Sequence, residues 1–252
     1  MCGRYAITTA PEAMRRMFGY PEMPNFPARY NIAPTQPIPI VRVVEGRREF
    51  ALVRWGLLPS WVKDPKNFTL LINARGETVN DKPAFKNAMK RRRCLIPADG
   101  FYEWKRDGAV KRPYLIRLKG GAPFAFAGLW ETWTGPNGEE MDSVAIVTTE
   151  ANRALSPIHD RMPAILTPDA YEMWLDNANV DAKTAAALLV PAQDELFEAY
   201  EIAPLVNRVT NDGPKVQVPF TAPAVSEVPA VTPAPKKTAR KRNPDEDQTS
   251  LF

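Results

Sequence analysis

Cys2 is the residue whose type and position carry the most chemistry. Once Met1 is removed, it presents a free α-amine and a thiol on adjacent carbons. Cysteine is small enough at the second position for the processing enzyme to accept it. An α-amine titrates near ~7.8, against ~10.4 for a lysine, so roughly a seventh of it is neutral at pH 7. A neutral amine attacks an aldehyde and forms an imine. The neighbouring thiol then adds to the imine carbon and closes a five-membered thiazolidine, an intramolecular step favoured by proximity. An internal cysteine cannot do this, because its nitrogen is an amide. The aminothiol therefore implies an aldehyde partner. The competing reading is a buried small hydrophobe.

Three further polar groups stand in apolar or turn-rich sequence. Glu103 lies in Gly100-Phe101-Tyr102-Glu103-Trp104, where aromatic neighbours would raise its pKa and fit it to shuttle protons. His159 is the only histidine, so any imidazole chemistry must use it. Asn73 offers an amide to fix the α-amine or a carbonyl oxygen. Each also has a structural reading: a solvent-facing strand glutamate, a hydrogen-bonded loop histidine, a strand-end turn residue. Arg4, Arg75 and Arg161 each lie two positions beyond Cys2, Asn73 and His159. Residues two apart in an extended segment share a face. The repeated offset points to a basic rim suited to phosphates, or to chance. Trp61 sits in a loop flanked by Pro59 and Pro65, placed to stack on a nucleobase or, as tryptophans often do, to fill core.

The elements that must position these residues follow from periodicity and turn signals. A strand is expected over residues 5–8, then a helix from Pro11 to Gly19. Residues 21–37 are rich in proline and asparagine and read as loop. Residues 38–44 and 48–55 flank Glu45-Gly46-Arg47 as a hairpin. A strand over 68–74 ends in the run Asn73-Ala74-Arg75-Gly76-Glu77, and a helix over 81–93 ends in basic residues that suit its dipole. Asp107-Gly108 marks a second hairpin. Strands are expected at 113–118, 124–133, 143–149 and 164–166, helices at 168–176 and 182–189, and a final strand pair at 197–206. Residues 151–161 read as a loop or short helix. Most strands arrive in antiparallel hairpins, with no βαβ alternation and no internal repeat. The fold class expected is α+β: one domain, residues 1–222, with a curved antiparallel, barrel-like β core and peripheral helices.

From about Pro223 to Phe252, alanine, proline, valine, threonine and basic residues dominate without periodicity, so a disordered tail is expected. The net charge of +4 is a mild bias, compatible with a polyanionic partner, and part of it lies in that tail. Cys2 and Cys94 make neither a disulfide framework nor a zinc site of usual spacing. No metal or cofactor is implied, and Cys94 reads as structural. No signal peptide opens the sequence and no apolar run approaches membrane-spanning length. A cytoplasmic monomer without membrane association is expected.

Met1-Cys2-Gly3-Arg4-Tyr5, Asn73-Ala74-Arg75-Gly76-Glu77, the run Cys94 to Trp104, and His159-Asp160-Arg161-Met162-Pro163 together resemble the SRAP (SOS response-associated peptidase) family of abasic-site processing proteins. The resemblance spans Cys2 to about residue 220. It implies an N-terminal cysteine that crosslinks to abasic sites in single-stranded DNA as a thiazolidine and shields the lesion. It further implies that Asn73, Glu103 and His159 assist catalysis and reversal, with a possible DNA lyase activity. By the same resemblance Arg4, Arg75 and Arg161 hold phosphates, and Trp61 and Thr148 line the DNA channel. The "peptidase" label reflects autocatalytic removal of Met1 by Cys2. Separately, Gln248-x-x-Leu251-Phe252 resembles the short peptide by which bacterial DNA-processing proteins bind the replication sliding clamp. The basic run Lys236-Lys237 and Arg240-Lys241-Arg242 would touch DNA.

Two other classes remain at this level. An N-terminal-nucleophile amidohydrolase or peptidase would use the thiol on an amide with the α-amine as base. A non-catalytic single-strand-binding module would bind in a salt-sensitive way without needing Cys2.

Overall fold

A computed structural model describes residues 2–221. Met1 and the whole of the expected tail, with its basic run and the clamp-like peptide of Gln248, Leu251 and Phe252, lie outside the described residues.

β1 (Tyr5–Ile7) runs into α1 (Pro11–Phe18). Pro11 preorganises the first turn of that helix, and Gly19 ends it at φ 71°, donating its N–H to the Arg15 carbonyl. Met14 and Phe18, four residues apart, are the buried face. β2 (Arg29–Ile32) follows, within the stretch expected to be loop. β3 (Pro37–Val44) and β4 (Arg47–Trp55) form the expected hairpin, its turn closed by Glu45 and Gly46 at positive φ.

Between β4 and the first motif strand the chain is mostly irregular. The strand expected over 68–74 reduces to β5 (Asn73–Arg75), preceded by an isolated pairing of Leu71 with Leu57. α2 (Pro83–Arg91) buries Phe85, Ala88 and Met89. The helix stops two residues early, because Arg93 already belongs to β6 (Arg93–Ala98). β7 (Gly100–Asp107) and β8 (Val110–Leu118) turn at Gly108, whose φ is 58°. β9 (Phe124–Thr134) and β10 (Glu140–Glu150) make a long hairpin. β11 (Arg161–Pro163), β12 (Ile165–Leu166), α3 (Tyr171–Leu175), α4 (Ala182–Ala186) and β13 (Phe197–Glu201) complete the order. The final strand pair is a single strand. Residues 204–207 and 214–217 are 3-10 turns, and Ile202 bridges Pro219.

The strands form two sheets. In the larger, the neighbours run β10-β4-β3-β6-β9, and β9 pairs β10 again, which closes a five-stranded barrel. Within that ring the β4–β10 contact is parallel, Ser143 to Arg54 and Val144 to Trp55, while β9 and β10 pair antiparallel. Closure removes free edges from these strands. The second sheet has the order β13-β8-β7-β1-β2. Tyr5 joins the sheets: its ring meets Trp55 at 5.5 Å and Phe126 at 5.8 Å, both edge-on. The α+β, barrel-cored class expected from the sequence is what the structure has. No helix among the described residues is long and apolar enough to cross a membrane.

Candidate active site

The site forms where the two sheets meet at the start of the chain. Tyr5 pairs Phe101, and the Tyr102 N–H donates to the Arg4 carbonyl at 3.0 Å. That antiparallel register carries Cys2 and Gly3 along β7 towards Glu103. From the barrel side, β5 lies parallel to β10 with Asn73 opposite Ile146 and Arg75 opposite Thr148. β11 lies on the other flank of β10, with Arg161 opposite Glu150. Four segments distant in sequence thus deliver Cys2, Asn73, Glu103 and His159 to one place.

Asn73 Nδ2 donates to the Cys2 carbonyl at 2.9 Å and so fixes the terminal peptide. Its Oδ1 is buried without a hydrogen-bond partner among the described residues. The Cys2 thiol is fully buried and points at the Arg4 carbonyl, 3.8 Å from it. Burial pushes this thiol far above the ordinary cysteine value, and the Glu103 charge pushes the same way. Glu103 is only 4 % exposed. Burial raises its carboxyl above the glutamate range, against the pull of the positive amino terminus and His159.

His159 Nε2 is 3.9 Å from Glu103 Oε2. Its Nδ1 has two neighbours with opposite demands: the Arg161 N–H at 2.9 Å needs a lone pair, while the Asp160 carboxylate at 2.8 Å needs a proton. The Arg161 N–H is fixed by the backbone, whereas the Asp160 side chain is 86 % exposed and can turn away. In the neutral ring Nδ1 therefore accepts from Arg161, and the proton sits on Nε2 facing Glu103. Glu103 and His159 open onto a cleft of about 380 Å³ that Trp104, Arg106, Lys111 and Asn207 also line.

The arginines two positions on do not form a uniform rim. Arg4 donates to Asn31 Oδ1 at 2.7 Å and to the Val206 carbonyl at 2.6 Å, tying the N-terminal strand to residues 206–211. Arg161 clasps Glu77 through two bonds of 2.7 and 3.0 Å and also donates to the Thr148 carbonyl at 2.8 Å. The clasp holds the Glu77 carboxyl below its ordinary range. Arg75 alone of the three is exposed. The offset rule fails because an even spacing fixes the face of a side chain and not what already occupies that face. Thr148 is fully buried beneath Arg161, whose Nη2 reaches its hydroxyl at 3.2 Å. Trp61 is 58 % exposed, with its ring edge-on to Phe68 at 5.7 Å. Cys94 is fully buried in the core.

Glu77, Trp104 and Asn207 belong to the site without standing out in the sequence. Glu77 and Trp104 lie inside the family-like motifs, so adjacency is a usable signal for them. Asn207 has none: it enters by the fold, accepting the Trp104 indole N–H at 2.7 Å.

The molecule is thus a β-barrel protein with a second sheet, and its Cys2 sits beside a buried carboxylate, an imidazole and an amide. The family profile described as "SOS response associated peptidase (SRAP)" matches residues 1–209, and the chain belongs to that family. It is 40 % identical over 221 residues to abasic site processing protein YoqW of Bacillus subtilis, covering 86 % of this chain and 98 % of that one. It is 31 % identical over 260 residues to abasic site processing protein HMCES of Xenopus tropicalis, covering 85 % of this chain and 77 % of that one. A crystal structure of a Bacteroides thetaiotaomicron protein superposes with a TM-score of 0.80 at 27 % identity, over 87 % of this chain and all of that one.

Proposed function

We propose that this protein processes abasic sites in single-stranded DNA by forming a covalent thiazolidine through Cys2. The observation that carries the reading is the convergence of the terminal cysteine, held by Asn73, with the buried Glu103–His159 pair. The names of the YoqW and HMCES relatives supply the lesion. An abasic site in its open-chain form presents the aldehyde that an aminothiol requires.

The α-amine acts first. After Met1 is released, in the family's self-processing step, the neutral amine adds to the aldehyde carbon. The carbinolamine then loses water to give the imine. The thiol adds across the C=N bond: sulfur bonds to carbon and its proton ends on nitrogen, closing the ring. A thiol pushed far up by burial is a poor thiolate, which favours this order over an opening attack by sulfur. The same fact disfavours the amidohydrolase reading. Glu103, whose carboxyl burial raises above the ordinary glutamate range, gives a proton to the departing hydroxyl and can take one back. His159 Nε2–H serves the sugar oxygen that leaves when the ring opens. An imine that forms before the sulfur adds is also the species from which strand cleavage, the lyase side reaction, would proceed. Ring closure prevents it.

Arg75 is the exposed cation placed to hold a phosphate beside the lesion, and Trp61 the exposed ring placed to stack on a base. Arg161 reaches a phosphate only by exchanging the Glu77 carboxylate for it. Arg4 and Thr148 act by holding the strands beneath.

The test is incubation of the Met1-processed protein with a single-stranded oligonucleotide carrying one abasic site, followed by denaturing electrophoresis. A slow-migrating adduct is expected, and Cys2→Ala should abolish it. Cys2→Ser should lose the stable adduct yet give one when borohydride is added to trap the imine. An adduct that persists in Cys2→Ala would sink the mechanism.

A further inference from the structure

The β7–β8 hairpin carries a charge arrangement that folding does not explain. Across it, Lys105 stands opposite Arg112, and Arg106 stands opposite Lys111. Like charges directly opposite on neighbouring strands are destabilising. Arg112 is partly relieved by Asp107 at 3.4 Å and Glu201 at 3.7 Å. Arg106 and Lys111 are exposed and have no acidic partner among the described residues. Both line the same cleft as Glu103 and His159.

The spacing is informative. Glu103 and Arg106 are three residues apart on one strand, about 10 Å at ~3.3 Å per residue. That is about three stacked nucleotides at the ~3.4 Å per-strand rise. Arg75, by contrast, enters from β5 on the barrel side. Trp104 and Asn207, hydrogen-bonded to each other, also line this open cleft. A chain of regularly spaced anions crossing the site would meet Arg75 on one side and the hairpin on the other.

We propose that the β7–β8 hairpin is a second phosphate-binding arm of the single-strand site, with Arg106 and Lys111 each taking a backbone phosphate on the Glu103–His159 side of the lesion. The inference rests on the single-strand reading above and adds the extent and polarity of the footprint to it. Binding offsets the like-charge opposition of Arg106 and Lys111 in the unliganded hairpin.

The test uses the Cys2→Ala protein, so that no covalent bond forms, and an undamaged fluorescent single-stranded oligonucleotide. Affinity is read by anisotropy across a salt series. Removing one cation that neutralises a phosphate of a single strand lowers the slope of log K against log salt by about 0.7. Adding Arg106→Ser and Lys111→Ser should lower it by about 1.4 and weaken binding roughly ten- to thirty-fold at 0.1 M salt. A Lys119→Ser control, an exposed cation at the far end of β8, should leave the slope unchanged. Trimming the oligonucleotide on one side only should erase the difference between the parent and the double variant, and trimming the other side should not. A slope that is unchanged in the double variant overturns the arm and leaves the single-strand reading standing. No salt-dependent binding by the parent overturns both.

Discussion

Arg93 and Glu103 are both charged residues taken out of water, and the protein treats them in opposite ways. Arg93 is wholly buried where α2, β6 and α3 meet. Every nitrogen of its guanidinium donates to a backbone carbonyl, four of five N–H groups in all: Nε to Trp174 at 2.7 Å, Nη1 to Met89 at 2.8 Å, and Nη2 to Asp176 at 2.8 Å and Val180 at 2.9 Å. Around Cys2 the polar groups are buried too, yet Asn73 Oδ1 and Arg161 Nε have no partner among the described residues. Glu103 is held with its carboxyl displaced upward by burial. A saturated cluster lowers the energy of the fold. A cluster with unused donors and acceptors costs stability and retains capacity for a ligand.

Arg93→Met is the variant with the largest expected effect, and it should act on stability alone. It would orphan the Met89, Trp174 and Val180 carbonyls and leave the Asp176 carbonyl with only the Val180 N–H. A loss of about 3–5 kcal/mol is expected, a large share of the ~5–15 kcal/mol of a typical domain. Urea denaturation measures it. A loss below about 1 kcal/mol would mean that water replaces the guanidinium and that the saturated cluster is not the stabilising one.

Glu103→Gln should do the reverse. Adduct formation should slow by about 10² or more, the range for loss of a positioned proton donor. Stability should hold or rise, with a pH signature. Because the folded carboxyl lies above its unfolded value of about 4.3, the folded state binds the extra proton. Wild-type stability should therefore fall, relative to the Gln variant, as pH rises from that unfolded value through the folded one, and then level off. Parallel curves for the two proteins across pH 4–8 would remove the argument for a perturbed Glu103.

How far the sequence reveals these two regions differs in the same way. The hairpins are legible because Glu45-Gly46, Asp107-Gly108 and Pro136-Asn137-Gly138 state their turns locally. Barrel closure is not, since the parallel pairing of Val144 with Trp55 joins residues with no shared local signal. β2 hides in a proline-rich stretch, and its key residue, Asn31, is a fully buried amide that no hydrophobic pattern reports. Asn31 Nδ2 lies within hydrogen-bonding distance of the Val206, Arg208 and Asn211 carbonyls. Arg93 looks in sequence like the solvated basic end of a helix, when it is a core residue. Cys2, Asn73, Glu103 and His159 stand out because each is chemically out of place in its own segment. The partners of the three arginines cannot be read locally, because a guanidinium's partner comes from another part of the chain.

The smallest effect tests the boundary between the two kinds of cluster, at Arg161. This guanidinium is half committed: Glu77 and Thr148 hold it, while its Nε is buried without a partner among the described residues. Glu77→Gln removes the charge-assisted clasp and leaves the bond to the Thr148 carbonyl in place. Glu77 is 45 % exposed, so the pair is screened and the stability cost should be at most about 1 kcal/mol. If Glu77 occupies the position of a phosphate, the variant should bind undamaged single strands a few-fold more tightly. Its salt slope should steepen by about 0.7, the increment of one further neutralised phosphate. Weaker binding with a shallower slope would mean that the clasp aims Arg161 at the strand. Arg161 would then belong with Arg93 as a side chain whose value lies in being held.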